Sequence, residues 1–167
     1  MSREFEGKFI ALEGPDGSGK STQVELLSEW LESNDYDVLV TKEPTENAIG
    51  KTLRKSLEGE IDMPTEAQAL LFAGDRVTHI TDTIAPGLKN GKIVVTGRYL
   101  YSSLAYQTSL GLSRDWIEEI NKYAMEPDLT LFIDVPPEIG AERVNSEGES
   151  DRFERDLKLQ KRVREAR

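Results

Sequence analysis

At 167 residues, with 37% hydrophobic side chains and no cysteine, the chain has the size and apolar content of one globular domain, and it cannot form disulfides, thiolate metal sites or a thiol nucleophile. Lys and Arg number 21 against 31 Asp and Glu, a net charge of −10, which argues against a surface that recruits nucleic acid or an anionic membrane through bulk charge. The opening Met1-Ser2-Arg3-Glu4-Phe5-Glu6-Gly7-Lys8 is charged where a secretory signal turns apolar, and no run of about 18 uncharged apolar residues follows, so a cytoplasmic protein is expected.

Short apolar runs alternate with longer stretches of helical period. The first strand is predicted at Lys8 to Glu13, followed by a helix whose buried stripe is Val24, Leu27, Trp30 and Leu31, ending near Ser33-Asn34-Asp35. A second strand covers Asp37 to Thr41. A short helix over Ala48 to Leu57 and a break at Glu58-Gly59-Glu60 precede one long helix from Pro64 to about Leu88. Lys92 to Thr96 forms a third strand. Helices over Ser102 to Leu110 and Arg114 to Met125 are separated at Gly111, with Ser113 as N-cap of the second. Leu129 to Asp134 is the fourth strand, after which Pro136-Pro137 opens a helix to Val144, a polar loop covers Asn145 to Ser150, and a charged helix runs to the last residue. Nearly continuous apolar strands alternating with helices predict an α/β protein: a three-layer α/β/α sandwich on a parallel sheet, a single domain over residues 1–167 without internal repeats.

One motif carries chemistry outright. Gly14-Pro15-Asp16-Gly17-Ser18-Gly19-Lys20-Ser21 fits G-x-x-x-x-G-K-[ST], and it sits between an apolar strand and an amphipathic helix. Glycines let backbone N–H groups turn inward around phosphates, and the helix N-terminus adds partial positive charge. Lys20 would reach the β- and γ-phosphates, and the Ser21 hydroxyl would ligate Mg²⁺. The motif does not say what accepts the phosphoryl group. Base-reading N-K-x-D motifs of GTPases are absent, since Asn90-Gly91-Lys92 and Asn121-Lys122-Tyr123-Ala124 both fail the pattern, and the chain is small for a recombination or transport ATPase core.

Further segments make the pattern specific. They are Leu12 to Gln23, Thr41-Lys42-Glu43-Pro44, Leu70-Leu71-Phe72-Ala73-Gly74-Asp75-Arg76, Arg98-Tyr99-Leu100-Tyr101-Ser102-Ser103-Leu104-Ala105-Tyr106-Gln107, and Pro127 to Glu138. Through them the chain resembles the thymidylate kinases, P-loop enzymes that pass the γ-phosphate of ATP to thymidine monophosphate. The resemblance implies MgATP as donor, a homodimer, and neither nucleic acid nor membrane as partner. Independently of it, Phe72 and Arg76 lie four apart and share one helix face, where a ring can stack on a base and a guanidinium can bond its edge. The family places thymine there, lined by Glu43 and Pro44, with Asp16 near the sugar 3′-hydroxyl and Tyr106 crowding the 2′ position. Arg54 and Arg98 are the candidates for the acceptor phosphate, because guanidinium binds phosphate bidentately and is always charged. Ser102, Ser103, Tyr106 and Gln107 offer polar tips to the same pocket. Donor binding is expected from Gly14 through Thr22, with Arg143 against adenine. A flap at about residues 145–152 would supply a catalytic arginine, Arg152 first and Arg155 in reserve, because Gly17 rather than Arg follows Asp16. His79, the single histidine, reads as helix surface.

Two departures from the family stand out. Gly97-Arg98-Tyr99 occurs where members usually carry Asp-Arg-Tyr or Asp-Arg-His, so the carboxylate that organises Mg²⁺ waters is missing, leaving Glu13, Glu43 or Asp134 as substitutes and slower turnover as the expectation. The chain also stops at Arg167, where members continue with a strand and a final helix. A four-stranded sheet with an exposed edge is therefore expected. Two alternatives stay open: another nucleotide or deoxynucleoside kinase, and a nucleotide-binding regulatory domain without turnover.

Overall fold

The computed structural model describes residues 5–147 and 157–165. Four strands, β1 (Lys8–Glu13), β2 (Val38–Lys42), β3 (Ile93–Gly97) and β4 (Leu129–Phe132), form a parallel sheet in the order β2-β3-β1-β4. Around it run α1 (Lys20–Ser33), α2 (Ala48–Leu57), α3 (Thr65–His79), α4 (Ala85–Lys89), α5 (Leu100–Ser109), α6 (Arg114–Ile120), α7 (Pro137–Glu147) and α8 (Leu157–Glu165).

Alternation along the central strands divides the core into two faces. Phe9, Ala11 and Val94 point one way, into a cluster with Ile84, Leu88 and Tyr99, whereas Leu12 and Val95 meet Val24 and Leu31 of α1 on the other side. The two helical layers follow from that division, as the predicted sandwich requires. Each of the buried Val, Leu, Ile and Phe side chains contributes about 1.5–3 kcal/mol.

Register sets up the site. Leu12 and Lys42 both stand level with Gly97, so the next residues, Glu13 at the end of β1 and Glu43 and Arg98 just past β2 and β3, lie together at the C-terminal edge of the sheet. Because β2 and β3 lie on one side of β1 and β4 on the other, the chain's winding reverses at β1, and the crevice outside such a reversal is where α/β sheets bind ligands.

Several local expectations are corrected. Trp30 is 59% exposed, while Ser28 is buried and bonds back to the Val24 carbonyl at 2.7 Å. Position 30 lies about 240° round the helix from Val24, off the stripe that 24, 28 and 31 define. The long helix expected over 64–88 is interrupted by a π-helical turn, Ile80–Ile84, between α3 and α4. The helix from Arg114 ends at Ile120 rather than Met125, and α7 runs on to Glu147, so residues 145–147 are helical rather than loop. Among the described residues β4 lies at the sheet edge, with Leu129, Leu131 and Phe132 exposed.

Candidate active site

The loop after β1 wraps tightly around its own backbone. Gly14 and Gly17 take φ of 156° and 68°, and a Cβ at Gly17 would stand 2.1 Å from the carbonyl oxygen of Gly140 in α7. Lys20 opens α1 and is buried, its Nζ donating to the carbonyls of Gly14 at 2.9 Å and Pro15 at 2.6 Å. The Ser18 hydroxyl is buried without a hydrogen-bond partner among the described residues. A buried cation, an unsatisfied hydroxyl and a helix N-terminus thus converge where an anion would sit.

Next to the loop lies a cavity lined by Asp16, Glu43, Pro44, Phe72, Arg76, Arg98, Ser103, Tyr106 and Gln107, among others. Asp16 forms the shared wall. Its carboxylate pairs with Arg98 and accepts from Tyr106 Oη at 2.5 Å and Gln160 Nε2 at 2.7 Å, and its amide donates to Gln160 Oε1 at 3.2 Å. Arg98 leaves β3 with φ 64°, a left-handed conformation that costs a non-glycine residue on the order of 1–3 kcal/mol and marks functional positions. Its guanidinium lies 5.5 Å from the centre of the Tyr106 ring. Arg76 is 1% exposed and bonded to Glu43, Ser103 and Asn121. Both amide atoms of Gln107 are buried without a hydrogen-bond partner among the described residues while the residue lines the cavity, which calls for a polar ligand edge.

The thymidylate kinase family model matches residues 12–167. The chain belongs to the thymidylate kinase family. It is 47% identical over 165 residues to a probable thymidylate kinase of Thermococcus onnurineus, covering 94% of this chain and 80% of that protein. Similar matches are a probable thymidylate kinase of Pyrococcus abyssi, 45% identical (96% and 80% covered), and a thymidylate kinase of Halothermothrix orenii, 41% identical (97% and 83% covered).

Within this thymidylate kinase fold the predicted acceptor residues meet in one cavity, except Arg54. That side chain is one-third exposed, and it holds Glu46 at 2.8 Å and the Pro44 carbonyl at 3.0 Å, behind the cavity wall. Arg143 reaches the phosphate loop, donating to the Gly17 carbonyl at 3.3 Å. Arg152 and Arg155 lie outside the described residues. The surface reading of His79 is wrong: it is 2% exposed, with Nδ1 3.1 Å from Glu43 Oε1 and Nε2 2.7 Å from Thr41 Oγ1. Glu43 comes from another element, so no spacing along the helix could have revealed the partner. Gln160, on α8, was also missed, although it falls three residues before buried Val163 on one helix face.

Two of the carboxylates considered for a metal have other work. Glu43 spans Arg76 and His79. Glu13 Oε1 accepts from the amides of Tyr99, Tyr101 and Ser102 at 3.0, 3.1 and 3.3 Å, and Oε2 from Ser102 Oγ at 2.5 Å, so Glu13 caps the start of α5. Burial pushes its pKa upward, opposed by the hydrogen bonds from Ser102 and the charges of Arg76 and Arg98. Folding therefore favours the protonated form. Its stability contribution is full below the ordinary value of 4.5 and is lost as pH rises through the folded-state value. Glu13→Gln, which does not titrate, is expected to be less stable than the parent near pH 4, with the gap narrowing toward neutral pH in thermal unfolding. A gap that widens with pH would contradict the assignment.

Asp134 is exposed beyond β4. Among the described residues, no group of three or more His, Asp or Glu is placed to hold a metal. The Ser21 hydroxyl and Gly97 line one cavity beside the loop. That donor set fits Mg²⁺, which is held largely by nucleotide phosphates and water with one or two protein oxygens.

Proposed function

We infer that this chain transfers the γ-phosphoryl group of MgATP to thymidine monophosphate, giving ADP and thymidine diphosphate. The observation that carries the reading is the shared wall. Asp16 belongs to the phosphate loop and is bonded to Arg98 and Tyr106 of the neighbouring cavity, an arrangement that would bring donor and acceptor phosphates end to end. Phosphoryl transfer needs positioning and charge neutralisation more than a strong base. Lys20 and the α1 N-terminus would neutralise the donor, exchanging the Gly14 and Pro15 carbonyls for phosphate oxygens. Arg98 would grip the acceptor phosphate, a contact that an unphosphorylated nucleoside could not use. Phe72 would stack on the base, and Arg76 and Gln107 would bond its edge or the sugar. Mg²⁺, held by Ser21 and the nucleotide, would supply further charge neutralisation. By resemblance Arg143, which bonds the phosphate loop, would lie against the adenine, and Arg152 would serve the flap.

A homodimer is supported by the outer face of α3, where Leu70 and Val77, seven residues apart, are 53% and 40% exposed. Light scattering would measure the mass. A cytoplasmic location agrees with the sequence, and among the described residues no helix is long and apolar enough to cross a membrane.

The deciding assay couples ADP formation to thymidine monophosphate, deoxyuridine monophosphate and thymidine in turn, with thymidine diphosphate identified directly. Product from the monophosphates and none from thymidine is expected; no product from any acceptor would refute the reading. Gly97 supplies a second test. Among the described residues a Cβ there would meet Val24 Cγ2 at 3.6 Å, an ordinary contact, so the backbone leaves room for the Cβ of Gly97→Asp. It is expected to raise kcat about tenfold and lower the Mg²⁺ requirement. No change at any Mg²⁺ concentration would show that the carboxylate is dispensable here.

A further inference from the structure

We propose that His79 is a positioning residue for base recognition, acting through Glu43 to hold the Arg76 guanidinium in one plane; the proposal rests on the acceptor reading above. His79 and Arg76 lie three apart near the end of α3 and so face the same neighbour, the residue that follows β2. That residue is Glu43. Its Oε2 accepts from Arg76 Nε at 3.1 Å and Nη2 at 2.8 Å, and its Oε1 meets His79 Nδ1 at 3.1 Å. A carboxylate paired with a guanidinium is ionised and only accepts, so His79 Nδ1 carries the hydrogen. Thr41 Oγ1, 2.7 Å from Nε2, fixes the other side of the ring. Thr41, Glu43 and His79 thus form a buried chain in which the carboxylate cannot turn without breaking bonds at both oxygens.

The result is felt at Arg76. Asn121 donates to the Ile117 carbonyl at 2.8 Å and so turns its oxygen toward Arg76 Nη1, while Ser103 Oγ takes Nη2 at 2.9 Å and the Tyr99 ring lies 5.0 Å from Cζ. Of the five N–H groups of a guanidinium, four are engaged by Glu43 (twice), Ser103 and Asn121. Among the described residues one Nη1 hydrogen is left without a partner, for a ligand in the cavity that Arg76 lines. A single immobile donor suits a base carbonyl and disfavours an amino group in the same place, because the donor would then be left unpaired. Thymine and cytosine differ in this way.

The test measures steady-state kinetics of the full chain with thymidine and deoxycytidine monophosphates. His79→Leu is expected to raise KM for thymidine monophosphate about tenfold and to narrow the preference over deoxycytidine monophosphate about fivefold, with kcat and the KM for ATP within about twofold. His79→Asn, whose amide can still donate to Glu43, should restore KM to within about threefold of the parent. Thr41→Val, which removes only the hydroxyl support, should raise KM about threefold and decides the matter if His79→Leu does not fold. Unchanged acceptor KM and base preference in folded variants, or a loss confined to kcat, overturns the proposal. A parent chain that makes no thymidine diphosphate overturns the acceptor reading and this proposal together, whereas an active parent with unmoved variants overturns this proposal alone.

Discussion

Lys20→Ala is expected to lower kcat for thymidine diphosphate formation about a thousandfold, equivalent to about 4 kcal/mol of transition-state stabilisation. The ammonium is buried at the mouth of α1 and held by two loop carbonyls, so it is already desolvated and aimed before nucleotide arrives. Once it has exchanged those carbonyls for phosphate oxygens, a desolvated charge of this kind would act strongly at the transition state. Loss of the charge would remove the cation proposed for the β- and γ-phosphates, leaving the helix terminus, the metal and the arginines to neutralise the transferring group. The fold should survive, because Ala is a strong helix former and the two carbonyls can turn to water. The measurement is kcat in the coupled assay beside the thermal midpoint. A kcat within tenfold of the parent, with the midpoint unchanged, would remove Lys20 from the catalytic machinery.

Gly17→Ala carries the second large effect, this time on stability. The new Cβ would lie 2.1, 2.6 and 2.7 Å from the carbonyl oxygen, carbonyl carbon and Cα of Gly140. All three are backbone atoms of α7, so no side chain can swing aside to make room. The φ of 68° adds strain of its own. Together these should cost about 4 kcal/mol in denaturant unfolding and disable phosphate binding as the loop shifts. Gly59→Ala isolates the contact. Gly59 has φ 83° but nothing within 4 Å of its added Cβ, so it should show the conformational cost alone, on the order of 1 kcal/mol. Equal losses at the two positions would mean that α7 does not rest on the loop as described.

The chemistry of the donor side was legible because it is local. A phosphate loop needs its glycines, lysine and serine at fixed chain spacing between a strand and a helix, and every part of Gly14 to Ser21 is contiguous. The same holds for Phe72 and Arg76, which one helix face brings together. The layered fold was legible for a similar reason, since strand and helix periods differ and both faces of the central strands are apolar. Where expectation failed, partners came from elsewhere in the chain. His79 was read as exposed, and the carboxylate one turn before it, Asp75, is taken by Thr45, yet β2 and the residue after it bring Thr41 and Glu43 to either side of its ring. Glu13 was considered for a metal because it ends a strand, yet at the start of α5, more than eighty residues away, backbone amides take one of its oxygens and the Ser102 hydroxyl takes the other.

By itself, then, the order of residues determined a parallel α/β fold, a triphosphate loop and an aromatic and cationic helix face, because each depends on spacing within one element. Only the tertiary structure decided which side chains would share a wall. Parallel register aligns Leu12, Lys42 and Gly97 at one sheet edge, and from there Asp16, Arg98, Tyr106 and Gln160 meet across distances that no local pattern encodes. Long-range polar contacts of this kind arise when packing buries charged groups that must then find partners, and the identity of those partners is a property of the assembled sheet.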